Sequence, residues 1–349
     1  MKKNIQGNFA VLSKIKKPLR LCKIDLPILK KNQILIKVYY TFICGSQINE
    51  WLGKKGEDLY LPHLLGHEAS GKVVSTGEKI KKVKKGDKVI ISWIKGKGRN
   101  FNSIKYKNRK NEIINSGSIS TFSNFTIVPE NRVYKIPKTC SLEKASLFGC
   151  AMPTGVGLAN YALKYKINKK KIICIFGVGG IGLISLLTLN YYGYKNIIAI
   201  DKNKKNLNFA KIIGAKYTLD YKKFKKLITN NKININDIML NIESSGNKLM
   251  MEQALINLST KGYCIISGNE KIGKKININP YDIIFGKKII GTIGGNISLE
   301  KNIKLFKKLL AFNKITNQIY FKKKYKLKNI NLAIKDFING RSTRPLIQI

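Results

Sequence analysis

Four glycines fall within six residues at Gly177-Val-Gly-Gly-Ile-Gly182, directly after the apolar run Ile172-Ile-Cys-Ile-Phe176. A glycine turn between a strand and a helix is a site for a diphosphate. Gly177 permits the tight bend, Gly179, with Gly180 beside it, lets a pyrophosphate approach the backbone, and Gly182 lets the helix pack closely on the sheet. The first turn of that helix contributes free N–H groups and a partial positive charge. Asp201 ends the next apolar run, nineteen residues after Gly182, where a carboxylate accepts hydrogen bonds from adenosine ribose hydroxyls. A glycine fingerprint alone is weak. Strand, loop, helix, strand and acid in sequence point to a dinucleotide such as NAD.

A second set of residues has soft-ligand chemistry. The only histidines are His63 and His67, and the six cysteines stand at 22, 44, 140, 150, 174 and 264. Two thiolates and a neutral imidazole suit zinc with an open fourth position, neutralise its charge, and are too soft for magnesium or calcium. Most free cysteines, however, are small buried hydrophobes. Spacing alone does not select two of the six.

These groups need elements to hold them. A chain of 349 residues at roughly 100–200 residues per domain makes about two domains. Up to about residue 150 the apolar runs are short, alternating and separated by glycine, as at 34–40, 71–75, 88–93 and 125–128. That texture predicts an all-β body. Beyond 151, strands at 171–176, 196–201, 237–242, 262–267 and 288–293 alternate with helices at 181–193 and 204–213, the pattern of a parallel sheet with crossovers. A helix at 299–312, a strand, a helix at 330–339 and a last strand at 345–349 follow. The uncharged stretch 172–189 is long enough to suggest a membrane span, but its central glycines fit a strand-to-helix junction between buried elements better.

The charge is +47, from 66 basic and 19 acidic residues. A balance of that size raises nucleic acid, a membrane surface or an anionic substrate as partners. Only six of the basic residues are arginine, the side chain suited to phosphate forks and base edges. Residues 95–110 hold seven basic residues and no acid, without any nucleic-acid-binding motif. The excess reads as a lysine-rich solvated surface. Sparse cysteines exclude a disulfide scaffold, and the first twenty residues lack the apolar segment of a signal peptide. A cytoplasmic setting is expected.

Nearly the whole chain resembles the zinc-dependent alcohol and polyol dehydrogenases of the medium-chain dehydrogenase/reductase superfamily. The resemblance is carried by CGSQINE at 44–50, GHEASGKVVSTG at 66–77, KKGDKVI at 84–90, GCAMPTGVG at 149–157, FGVGGIG at 176–182, IAIDKNKKNLNFAKIIGA at 198–215 and NGRSTRPLIQI at 339–349. It implies a chaperonin-10-like (GroES-like) β-rich catalytic domain over 1–150 and 295–349, and a Rossmann NAD-binding domain over 151–294. It also implies one zinc held by Cys44, His67 and Cys150, with Glu68 close behind as an alternate ligand. Ser46 would accept the alcohol proton, Trp93 would line the substrate pocket, and Arg344 would reach the cofactor pyrophosphate. The reaction would be NAD-linked hydride transfer between a small alcohol or polyol and its carbonyl, in a homodimer or homotetramer. If the lysine excess serves function, a phosphorylated polyol is the substrate it favours.

The departures from that pattern are specific. Many relatives carry four closely spaced cysteines for a second, structural zinc, whereas residues 94–120 contain no cysteine. Gln47 stands where a carboxylate often supports the zinc histidine, and Asn49 replaces a relay histidine. His63 reads as a surface or hinge residue. Two other classes are weighed: a zinc-free enone or quinone reductase of the same superfamily, which would lack the Cys/His/Cys set, and a basic nucleic-acid-binding protein retaining the fold.

Overall fold

The computed structural model describes residues 5–101 and 103–349. The chain divides into two compact units. One holds the chain up to Cys150 with Ser298–Ile303 and Tyr320–Ile349, the other Ala151–Ile297 and Lys304–Ile319.

In the first unit the long strand Gln33–Phe42 organises a seven-stranded sheet. It pairs antiparallel with Glu68–Thr76, with Phe125–Pro129 and, at its far end, with the terminal strand Leu346–Gln348. Alternation explains the core: Ile34, Ile36 and Val38 turn inward beside Ala69, Val73, Val89, Ile91, Val128 and Val133, and their burial drives the sheet together. A smaller closed barrel joins Gln6–Leu12, Arg20–Asp25, Ile104–Asn108, Ile113–Ser116 and His63–Leu64.

The strands Ile104–Asn108 and Ile113–Ser116 form a hairpin whose first strand lies in the lysine-rich stretch. Ile104 and Tyr106 are buried while Lys105 and Lys107 are exposed, so the charge lies on the outer face of a two-residue period. Nor is the body all-β, as its texture suggested. The helix Gly45–Trp51 packs Ile48 into a core shared with Ile330, Ala333 and Ile334 of the helix Ile330–Ile338.

The second unit is a six-stranded parallel sheet in the order Tyr217–Leu219, Ile197–Ile200, Ile172–Phe176, Ile238–Glu243, Tyr263–Ile266, Lys288–Gly291. This is the doubly wound order, which reverses between Ile172–Phe176 and Ile238–Glu243 and leaves a crevice at the strands' carboxyl ends. The stretch 172–189 resolves into a strand, the glycine turn and the helix Gly182–Tyr191. Among the described residues no helix is long and apolar enough to cross a membrane.

Candidate metal and dinucleotide sites

In the first unit three loops converge. The strand Gln33–Phe42 ends just before Cys44, the N-cap of Gly45–Trp51, where the Cys44 N–H donates to Oε1 of Gln47 at 2.6 Å. This is a reciprocal cap with cysteine in the place of serine. His67 lies between Gly66 and the strand Glu68–Thr76. Gly66 has φ +99°, and a Cβ there would sit 2.7 Å from the Thr121 nitrogen, so only glycine fits. The Trp93 N–H fixes the His67 carbonyl at 3.0 Å. Cys150 follows the short turn Ser146–Gly149, anchored by Ser92 Oγ donating to the Gly149 carbonyl at 2.5 Å. Gly149 is required as well: a Cβ would meet Ile91 O at 2.5 Å and Glu68 Cβ at 2.8 Å.

The ligand atoms of Cys44, His67 and Cys150 lie within 4.8 Å of one another, the one such group among the described residues. Nε2 of His67 is 3.2 Å from Sγ of Cys150. Around a tetrahedral zinc at ordinary bond lengths, such atoms stand about 3.5–3.8 Å apart. Cys44 is drawn well below the ordinary thiol range, first by its hydrogen bond with Cys150 and then by the Arg344 and His67 charges. Cys150 is driven well above that range by the same hydrogen bond and by burial. The two thiols compete for ionisation, and a cation held between them would let both ionise. The donor set therefore fits zinc.

Glu68 is fully buried, and Arg344 is nearly so. Arg344 donates Nε at 3.0 Å and also Nη2 to Oε1 of Glu68, leaving Oε2 without a partner. Burial pushes the Glu68 carboxyl up, against the Arg344 charge that pulls it down. Glu68 stands outside the three-donor cluster. Trp93 places its ring 6.2 Å from that of His67, and its indole nitrogen has no partner. Ser46 occupies the first turn of Gly45–Trp51, half-buried.

In the second unit Gly177 has φ +88° and sits against Ser245, while Ser244 Oγ donates to its carbonyl at 2.6 Å. A Cβ on Gly182 would collide with the Gly177 carbonyl, so helix and turn touch backbone to backbone. At Gly179 nothing lies within 4 Å of an added Cβ, leaving the backbone open to a ligand. Gly180 adjoins it in the turn. Asp201 closes the loop from the side: Oδ2 accepts from Val178 N at 2.9 Å, and Oδ1 from Asn203 N at 2.8 Å. These residues fit a dinucleotide's diphosphate and ribose.

Two family models match the chain, the alcohol dehydrogenase GroES-like domain over residues 30–138 and the zinc-binding dehydrogenase domain over 180–312. The chain belongs to the zinc-type alcohol dehydrogenases. It is 29% identical to alcohol dehydrogenase 6 of Peromyscus maniculatus, over 99% of this chain and 98% of that one. It is 27% identical to alcohol dehydrogenase class-3 of Dictyostelium discoideum, over 97% of each. Benzyl alcohol dehydrogenase of Acinetobacter calcoaceticus superposes with a TM-score of 0.83 at 24% identity, covering 99% of both chains. A putative zinc-binding dehydrogenase of Sinorhizobium meliloti, bound to NADP, superposes at 0.75 and 17% identity, covering 99% of this chain and 100% of that one. At these identities the structural likeness is one of fold.

Three features of this alcohol dehydrogenase were not read from its sequence. Glu68 and Arg344 are 276 positions apart, and no local signal joins them. Gln47 is the capping partner of Cys44, legible in retrospect from the N-cap-to-N3 spacing. His63 is not a surface residue: it is buried, with Nε2 2.8 Å from Oδ2 of Asp58.

Proposed function

We propose that this chain is a zinc- and NAD-dependent alcohol dehydrogenase in which Cys44, His67 and Cys150 hold one zinc ion. The observation that carries the reading is the convergence of two thiols and an imidazole within 4.8 Å, a set that a zinc-free reductase has no use for. When bound, zinc supplies Lewis acidity toward an alcohol oxygen, and NAD supplies a hydride acceptor.

The chain's own groups do the rest. Cys44 and Cys150 offset the ion's charge, and the backbone bond from Trp93 holds the His67 main chain in place. Ser46 takes the alcohol's proton at Oγ from its place in the first turn of the helix. Glu68 is kept as a balanced ion pair by Arg344, so its negative charge stands behind the thiols without a counterion from solvent. The open backbone at Gly179 receives the pyrophosphate, and Asp201 takes the ribose hydroxyls while repelling a 2′-phosphate. Lys202, Lys204 and Lys205 are exposed beside it and soften that preference.

The test is a panel of alcohols with NAD and with NADP, read by nicotinamide absorbance, before and after chelation. Turnover with NAD that chelation removes and zinc restores supports the reading; chelator-insensitive turnover refutes it.

A further inference from the structure

Glu243 is the last residue of the strand Ile238–Glu243 and pairs in register with Phe176, the residue before Gly177. It stands at the carboxyl edge of the two strands between which the sheet order reverses, where the crevice opens. Its side chain is fully buried, and the reaction does not use it. A carboxyl group so deep in the protein is costly unless its oxygens are hydrogen-bonded. Burial pushes the Glu243 carboxyl up, while the Ser245 hydroxyl and the N–H groups of Ser245 and Gly246 pull it down.

These donors define a turn. Oε1 of Glu243 accepts from Ser245 N at 2.8 Å, from Ser245 Oγ at 2.5 Å and from Gly246 N at 3.0 Å. The chain is thereby folded back around one oxygen. Ser245 Oγ accepts in turn from Asn247 N at 3.2 Å, and Asn247 caps the helix Lys248–Ile256. The Glu243 carbonyl accepts from Ser267 N at 2.9 Å and Gly268 N at 3.2 Å, so the loop after the strand Tyr263–Ile266 is held by the same residue. The two loops touch closely. Gly246 has φ +68°, and a Cβ there would sit 2.7 Å from the Asn269 carbonyl oxygen, while a Cβ on Gly268 would collide with Gly246 N and Glu243 Oε2.

The turn also bears on the glycine fingerprint. Ser244 N donates to the Phe176 carbonyl at 2.9 Å and Ser244 Oγ to the Gly177 carbonyl at 2.6 Å, and the place of a Gly177 Cβ is filled by Ser245. The glycine turn is thus braced by a second turn whose shape depends on the Glu243 carboxyl. A loop ordered before binding removes its ordering cost from the binding free energy.

We propose that Glu243 is a positioning residue of the dinucleotide site, its carboxyl holding the turn 244–247 against Gly177 so that the glycine backbone is preformed for the diphosphate. Glu243 acts here through Ser244 and Ser245, and the proposal rests on the reading of the glycine turn as the NAD site.

The test is NADH titration of the full-length, zinc-loaded protein, read by nicotinamide fluorescence, with Glu243→Leu and Glu243→Gln beside the wild type. Glu243→Leu removes every side-chain acceptor and should weaken NADH binding by about tenfold or more, with zinc content unchanged. Glu243→Gln keeps one acceptor oxygen for the three donors and should stay within about twofold of wild type. Ser245→Ala deletes the hydroxyl donor alone and should weaken NADH by about three- to tenfold, the scale of one net hydrogen bond; it carries the test if Glu243→Leu does not fold. Unchanged affinity in folded Glu243→Leu or in Ser245→Ala, or Glu243→Gln as weak as Glu243→Leu, would overturn the proposal while wild-type binding leaves the NAD reading standing. A wild type that binds neither NADH nor NADPH would overturn the dinucleotide reading and the proposal with it.

Discussion

Arg344 places two of its nitrogens on one oxygen of Glu68, with neither side chain open to solvent. The pair joins the last strand's approach to the strand that follows His67, and so fastens the C-terminal segment to the metal loops. Breaking a buried pair from one side leaves an uncompensated charge, which costs about 3–5 kcal/mol. Arg344→Met should therefore destabilise the protein by that amount in urea melts. The double variant Arg344→Met, Glu68→Gln should recover most of the loss. Additive losses in the double variant would show that the two residues do not act as a pair.

Proton removal is expected to run through Ser46. Loss of a positioned proton acceptor lowers turnover by about 10²–10⁴-fold, so kcat of Ser46→Ala should fall in that range. Asn49 has no titratable group, and Asn49→Ala should stay within about tenfold, because water hands protons on at modest cost. A collapse at Asn49 with Ser46 nearly silent would place the relay elsewhere.

Gly179 separates binding from folding. The space around its missing side chain is open, so Gly179→Ala should leave Tm unchanged. A methyl group there would hold a pyrophosphate off the backbone and raise KM for NAD by about tenfold or more. Gly182→Ala, with its Cβ against the Gly177 carbonyl, should lower Tm as well. An unchanged KM in Gly179→Ala would mean that the diphosphate lies elsewhere.

Asp336 sets an acid limb in the stability profile. Hydrogen bonds from Lys323 at 2.7 Å and Tyr325 at 2.6 Å hold its carboxyl below the ordinary carboxylate range. A depressed folded value means stability present above the unfolded value of about 3.9 and lost as pH falls through the folded one. Asp336→Asn should melt lower than wild type at neutral pH, and the gap should close as pH falls below the unfolded carboxylate value of about 3.9. Lys323 is 58% exposed, so salt should narrow the gap as well. A gap independent of pH would assign the loss to packing.

The dinucleotide half was legible because buried parallel strands read as unbroken apolar runs. Ile172–Phe176 and Ile197–Ile200 have no solvent face to encode, and the glycine turn marks the junction between strand and helix. The hairpin Ile104–Asn108 with Ile113–Ser116 was obscured by its lysines, although Ile104 and Tyr106 keep the two-residue period beneath them. The helix Gly45–Trp51 lacked a serine or aspartate cap, since Cys44 and Gln47 do that work. His63 could not be placed from sequence at all. Its carboxylate neighbours, Glu50 and Asp58, come from a helix and a loop that only the fold brings to it, as Arg344 is brought to Glu68.

Zinc K-edge absorption on the purified protein, with the metal counted per chain, reads the Cys44, His67 and Cys150 centre directly. One zinc is expected, with two sulfur ligands at about 2.3 Å and lighter atoms at about 2.0–2.1 Å. Cys150→Ala should remove one sulfur from that shell and abolish turnover. A zinc shell without sulfur, or full activity in Cys150→Ala, would contradict it.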